Sequence, residues 1–228
     1  MKVIEKKSYD EMSRDAAEAV FDVIKNSKNS IKKFTIALSG GSSPAGLYKK
    51  MAEMDVDWNR ICFFMVDERK IRLEHKDSNF KMIKETLLSR IDIPRKNVYP
   101  VNVSYRKVED SALEYEERIK NFFNNAPVVF DLMILGIGPD GHTASLFPGR
   151  KELHESKRIV IPALAPDRFS IKERITMTLP VLNQTKERIF VVSGKERARI
   201  IKGVIKEDSL YPASLINRNS TIYTDFQL

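Results

Sequence analysis

The chain has 228 residues and carries 39 Lys+Arg against 31 Asp+Glu, a formal charge of +8 with histidine neutral. A hydrophobic fraction of 42%, with 12 Phe and 7 Tyr, supplies a sizeable core and excludes wholesale disorder, and the length corresponds to one large domain or two small ones. No apolar run reaches the ~18 residues of a membrane span, the opening MKVIEKKSYDEM has no leader pattern, and the one cysteine, Cys62, forms no intrachain disulfide, so the expectation is a cytoplasmic protein with no membrane partner.

In chain order, Met12, Ala16, Val20 and Ile24 recur at helical spacing within 8–26, and the short apolar run FTIAL at 34–38 follows. ICFFMV at 61–66 predicts a second strand, followed by a helix from about Asn79 to Leu88, a short strand NVYPV at 97–101 and a long helix within 108–124. Later strands are predicted at FDLMIL (130–135), RIVIPA (158–163), ERITMTL (173–179), RIFVVS (188–193) and TIYTDF (221–226), with a helix over 195–206. Fully apolar strands alternating with helices indicate an α/β fold, an open and mostly parallel sheet with helices on both faces. No repeat or Pro/Gly/Ser-rich linker divides the chain, so residues 1–228 are read as one domain.

The positive charge is dispersed. Lys and Arg interleave with Asp and Glu in SYDEMSRDAAEAV and YEERIKNFF, as on solvated helix faces, and the densest basic stretch, KNSKNSIKK at 25–33, has no interleaved aromatics. No nucleic-acid partner is expected. A positive balance equally suits an anionic small molecule, whose local concentration the field raises.

Seven of the nine glycines belong to two segments, LSGGSSPAG at 38–46 and GIGPDGHTASLFPG at 136–149, each directly after an apolar strand. Asp67, Glu68 and Arg69 follow the ICFFMV strand in the same way, and Ser193, Gly194 and Lys195 follow RIFVVS. Four polar clusters therefore lie at carboxyl ends of strands, the edge at which open α/β sheets bind ligands.

In the first loop Gly40 and Gly41 allow close backbone approach, Ser42 and Ser43 offer hydroxyls, and Pro44 is suited to a helix start. On residues alone this is either an anion cradle or an ordinary capped strand-to-helix turn, since the Walker lysine and the full dinucleotide fingerprint are missing. In the second loop Gly136, Gly138 and Gly141 force an irregular path that projects Asp140 and His142, a base and a carboxylate able to fix its tautomer. Asp67 and Arg69 are read as facing the crevice, Arg69 toward a ligand oxyanion. Arg174, Lys195 and Arg197 are further cations that could serve there or stand in solvent. His75 and His154 lie in charged stretches and share no ligand spacing with Cys62, which is read as a core residue, so no metal site is expected.

Taken together, LSGGSSPAGLY (38–48), VDERKI (66–71), SNFKMIKETLL (78–88), LGIGPDGHTASLFPG (135–149), RITMTLPVLN (174–183), SGKERA (193–198) and YPASLI (211–216) resemble the soluble α/β family of 6-phosphogluconolactonases, relatives of the glucosamine-6-phosphate deaminases. The resemblance runs over nearly the whole chain, and the GIGPDGHTASLFPG block is its most specific part. It implies a Rossmann-like, deaminase-type fold and hydrolysis of 6-phospho-D-glucono-1,5-lactone to 6-phosphogluconate in the oxidative pentose phosphate pathway, with no cofactor and no required metal. By the same resemblance His142 is the general base for water, Asp140 and Asp67 are nearby orienting carboxylates, and Gly41, Ser42, Ser43, Arg69 and Arg174 receive the phosphate. The family commonly carries a lysine three residues after the glycine of the SG turn. Here that position is Arg197, and Lys195 stands one residue after Gly194, so both are candidates.

Two rivals accompany this reading. The deaminases typically read DEY after the second strand and carry a glutamate soon after DGH, where this chain has Arg69 and the run from Ser145 to Gly149. A non-catalytic sugar-phosphate-binding module is the other; regulators of that kind usually have a helix-turn-helix ahead of the sugar domain.

Overall fold

The computed structural model describes residues 1–27, 32–216 and 219–228. The chain forms β1 (Lys2–Glu5), α1 (Tyr9–Asn26), β2 (Phe34–Leu38), α2 (Ala45–Met51), β3 (Ile61–Met65), β4 (Asp67–Arg69), α3 (Asn79–Thr86), β5 (Val98–Tyr99) and α4 (Val108–Phe122). It continues through β6 (Leu132–Leu135), β7 (Val160–Leu164), β8 (Glu173–Met177), α5 (Leu179–Gln184), β9 (Glu187–Val192), α6 (Ala198–Ile205) and β10 (Ser220–Thr224).

Seven strands make one parallel sheet in the order β1-β10-β9-β6-β2-β3-β5. Every residue of β2, β3 and β6 is buried. Because successive side chains alternate between faces, that pattern requires cover on both sides of the sheet. On α1, Met12, Ala16, Val20 and Ile24 form the buried stripe, and the helix starts where the Ser8 side chain accepts the Glu11 N–H at 3.2 Å. Helix α4 is pinned by Tyr115, whose hydroxyl accepts the Met65 N–H at 2.7 Å and donates to the Met65 carbonyl at 3.0 Å. Cys62 is buried in β3, and burial pushes its thiol up.

The order of the strands fixes where a crevice opens. From β2 the chain moves outward through β3 to β5, then returns with β6 on the opposite side of β2 and continues through β9 to β10. The reversal lies between β2 and β6, and their carboxyl ends lead into loops 39–44 and 136–142.

Two strands expected in the parallel sheet are elsewhere. Strands β7 and β8, with β4, form a separate antiparallel sheet in the order β4-β8-β7. Only residues 165–172 join β7 to β8, too few for the helical crossover a parallel pair needs, so a hairpin forms. The cluster at 67–69, read as lying at the carboxyl end of the 61–66 strand, is itself a strand of this second sheet. Val66 is the pivot between the sheets: its N–H donates to the Leu38 carbonyl at 3.0 Å, and its carbonyl accepts the Met177 N–H at 2.9 Å. The edge strand β1 was not expected, and the predicted 97–101 strand is reduced to two residues. Within the basic stretch 25–33, residues 28–31 lie outside the described residues.

Candidate active site

The loops after β2 and β6 converge with β4, β8 and the turn after β9 on a cleft of about 230 Å³. Its lining includes Gly41, Ser42, Ser43, Asp67, Arg69, His142, Arg174 and Arg197. Asp140 stands behind His142 rather than in the lining, and Lys195 is exposed and outside it. Of the two cations after the SG turn, the structure therefore brings Arg197 to the cleft.

The β6 loop is folded around the imidazole. Gly141, at φ +80°, takes a conformation that side chains rarely adopt, and the Gly138 N–H donates to the His142 carbonyl at 2.8 Å. A Cβ on Gly138 would lie 2.0 Å from the His142 ring, so the ring rests directly on that backbone. His142 Nδ1 is hydrogen-bonded to Asp140 Oδ1, and Arg168 Nη2 pairs with Asp140 Oδ2. A carboxylate at that nitrogen selects the Nδ1–H tautomer and leaves Nε2 as the proton acceptor. Burial would raise the Asp140 carboxyl, but the hydrogen bonds from His142 and the charge of Arg168 outweigh it and hold the group below the usual range. The ring is walled by Phe147 at 4.6 Å and by Phe169, edge-on, at 5.7 Å between centroids.

Across the cleft, Asp67 is only 7% exposed and is held on both oxygens: Ser145 Oγ donates to Oδ2 at 2.6 Å and Asn79 Nδ2 to Oδ1 at 3.1 Å. Asn79 also presses on the first loop, since a Cβ on Gly40 would fall 1.8 Å from its Oδ1. Neighbouring Glu68 is fully buried and structural. It accepts from Ser78 Oγ and from the N–H groups of Arg69, Asn79 and Phe80 at 2.7–3.0 Å, tying α3 to β4, while burial pushes its carboxyl up.

The cationic side of the cleft is unusual. Arg69 and Arg174 are direct cross-strand partners in the β4–β8 ladder, and like charges so placed are destabilising. Arg174 is 5% exposed, and burial together with Arg69 pushes it down to about 10. The Nε atoms of Arg69, Arg174 and Arg197 are all buried with no hydrogen-bond partner among the described residues. Arg197 pairs with Glu196 Oε1 at 2.9 Å outside the lining, and within the described lining the three guanidiniums have a single carboxylate, Asp67, for company. Buried donors without partners beside crowded positive charge are the requirements of an anion site.

Loop 39–44 is fastened to this side. The Ser193 N–H donates to Ser43 Oγ at 3.1 Å, the Tyr9 hydroxyl lies 2.9 Å from the Ser42 carbonyl, and the Tyr48 hydroxyl donates to the Ser39 carbonyl at 2.7 Å. Gly194, at φ +99°, is held by Asp225, which accepts its N–H at 3.0 Å. His75 and His154 are exposed and do not line the cleft.

Sequence reasoning missed Asn79, Ser145, Phe147, Arg168 and Phe169. Ser145 and Phe147 lie in the glycine-rich block already singled out, and Asn79 lies in the SNFKMIKETLL segment, where it was visible as a helix start with no site role given to it. Arg168 and Phe169 carry no motif, because their position depends on the β7–β8 hairpin.

The chain matches the family described as glucosamine-6-phosphate isomerases/6-phosphogluconolactonase over residues 7–224. It is 37% identical over 190 residues to a 6-phosphogluconolactonase of Nostoc sp., covering 81% of this chain and 78% of that one. The solved 6-phosphogluconolactonase of Thermotoga maritima superposes with a TM-score of 0.84 at 31% identity and 98% coverage of both chains. That of Trypanosoma cruzi gives 0.88 at 28% identity, covering 98% of this chain and 93% of the other.

Proposed function

The chain belongs to the glucosamine-6-phosphate isomerase/6-phosphogluconolactonase family, and on that premise we propose that it hydrolyses the ring ester of 6-phospho-D-glucono-1,5-lactone to 6-phosphogluconate, the lactone-opening step of the oxidative pentose phosphate pathway. The observation that carries this reading is the meeting, in one cleft, of His142, backed by Asp140, with three guanidiniums whose Nε atoms are buried and have no partner among the described residues.

His142 Nε2 takes a proton from water as the water oxygen bonds to the lactone carbonyl carbon. The tetrahedral species collapses by breaking the bond to the ring oxygen, which takes the proton back from the imidazolium. Asp140 holds the ring in its tautomer and balances the transient positive charge. Asp67, held by Ser145 and Asn79, keeps free lone pairs for sugar hydroxyls. Arg69, Arg174 and Arg197, with Ser42, Ser43 and the backbone at Gly41, receive the phosphate and so hold the carbonyl in register with His142. The reaction proposed needs only water besides the lactone, and the setting proposed is cytoplasmic. Among the described residues no helix is long and apolar enough to cross a membrane.

No specific observation favours the deaminase reading. Where the resemblance would require a glutamate after the DGH motif, the chain continues from Ser145 to Gly149, and the Ser145 hydroxyl is engaged with Asp67.

The test is acid release from the lactone generated in situ, at mildly acidic pH where spontaneous opening is slow, with and without protein. Acceleration above the uncatalysed rate is expected; none from folded protein would overturn the reading and direct attention to deamination and to sugar-phosphate binding. A second expected result concerns Gly138→Ala. Its Cβ would occupy the space of the His142 ring, so turnover should fall by about 10²-fold, the scale of a misplaced reacting group, with a far smaller change in KM. Unaltered kcat would show that the ring tolerates displacement.

A further inference from the structure

The hairpin between β7 and β8 reaches the back of the base. Its ends are closed by the Ala165 N–H donating to the Lys172 carbonyl at 2.9 Å, and an inner turn is made by the Phe169 N–H to the Pro166 carbonyl at 3.0 Å. From this turn Arg168 extends to Asp140 Oδ2, the oxygen that His142 does not use. The Arg168 guanidinium lies over the Phe169 ring at 5.1 Å, and that ring meets His142 edge-on. Arg168 does not line the cleft, whereas Phe169 does.

A stability role does not account for this pair. The Arg168 side chain is 52% exposed, and ion pairs of that kind contribute little to folding. Its geometric consequence is larger. The terminal torsion of an aspartate is soft and roughly two-fold, so a carboxylate held on one oxygen by a histidine can swing and take the ring with it. With Arg168 Nη2 on the second oxygen, the carboxylate is held at both oxygens and its plane is fixed. Arg174, six residues along the same hairpin, delivers a guanidinium to the anion side and also lies over Phe169, at 5.8 Å.

From this arrangement we infer that Arg168 is a positioning residue that acts on His142 through Asp140, holding the imidazole at the angle at which Nε2 meets the attacking water. The inference rests on the lactonase reading for its kinetic consequence, but the orientation of the ring can be observed without turnover.

Two variants and two readouts decide it. Arg168→Gln should melt with wild type while its kcat for the phosphorylated lactone falls about tenfold or more and KM stays nearly constant, on the scale of a small misplacement. Arg168→Lys restores the charge but not the planar guanidinium that lies over Phe169, and should recover part of the loss. Independently, ¹⁵N spectra of the imidazoles, of which the chain has three and which His142→Ala assigns, should show a protected Nδ1–H for His142 in wild type that is lost to exchange in Arg168→Gln. If wild type fails to accelerate lactone opening, the functional reading falls while the spectra still judge the positioning claim. A wild-type kcat in Arg168→Gln, a change confined to KM, or an unaltered His142 imidazole spectrum would each overturn it.

Discussion

His142→Ala is expected to stay folded and to lose about 10²–10⁴-fold in lactone turnover above the spontaneous rate, the contribution of a positioned general base. The fold should tolerate the change because little of it hangs on the imidazole. The loop path is set by backbone groups that remain: Gly138 N–H still reaches the carbonyl of residue 142, the Gly141 N–H reaches the Gly138 carbonyl at 3.0 Å, and the Ala213 N–H reaches the Gly141 carbonyl at 3.0 Å. Asp140 keeps Arg168 as its partner, so no buried charge is stranded. What is lost is the ring contact with Phe147 and Phe169, worth about 0.5–1.5 kcal/mol for such a pair. Thermal melts alongside initial rates separate the two effects. Comparable melts with unchanged rates would remove His142 from the mechanism, and collapse of the fold would remove the loop argument that makes the residue dispensable to it.

The two glycine-rich loops and their location at strand ends were legible because both signals are local. A run such as FTIAL or FDLMIL is too apolar to be half-exposed, and glycines gathered after it mark a backbone path that ordinary side chains do not take. Position at the carboxyl ends of strands was enough to send Ser42, Ser43 and His142 toward one ligand-binding edge, while the reversal between β2 and β6 that opens the crevice emerges only from the pairing of the strands. What could not be read depends on non-local pairing. RIVIPA and ERITMTL have the same apolar texture as the parallel strands, and only the shortness of residues 165–172 distinguishes them. Missing that hairpin hid the register that sets Arg69 opposite Arg174, and with it the delivery of Arg168 to Asp140. Strand β1 escaped notice for another reason: KVIE is short, charged at both ends and on the edge of the sheet, where such composition protects against further pairing.

The second large effect is expected at Arg174, and its two parts have opposite signs. In the free protein the residue is costly. Burial first, and then the cross-strand charge of Arg69, pull it down to about 10, which corresponds to about 3 kcal/mol set against its charged form. The guanidinium still carries its charge at neutral pH, and because its folded value is depressed, that penalty is present in full below about 10 and fades only as the pH rises from there toward the ordinary arginine range. Arg174→Met, which keeps length and apolar packing, should therefore leave the ligand-free protein at least as stable as wild type. With the phosphorylated lactone the balance reverses. A charged hydrogen-bonding partner contributes about 1.5–3 kcal/mol, so KM should rise about 10- to 100-fold with kcat changed far less, while unphosphorylated gluconolactone is turned over equally by both proteins. Inorganic phosphate provides a check without turnover: binding to the native state raises stability as RT ln(1 + [L]/Kd), so it should raise the melting temperature of wild type and do so much less for the variant. An Arg174→Met protein that melts below wild type, still responds fully to phosphate and keeps its KM would show that the crowded guanidiniums serve the sheet and not the substrate.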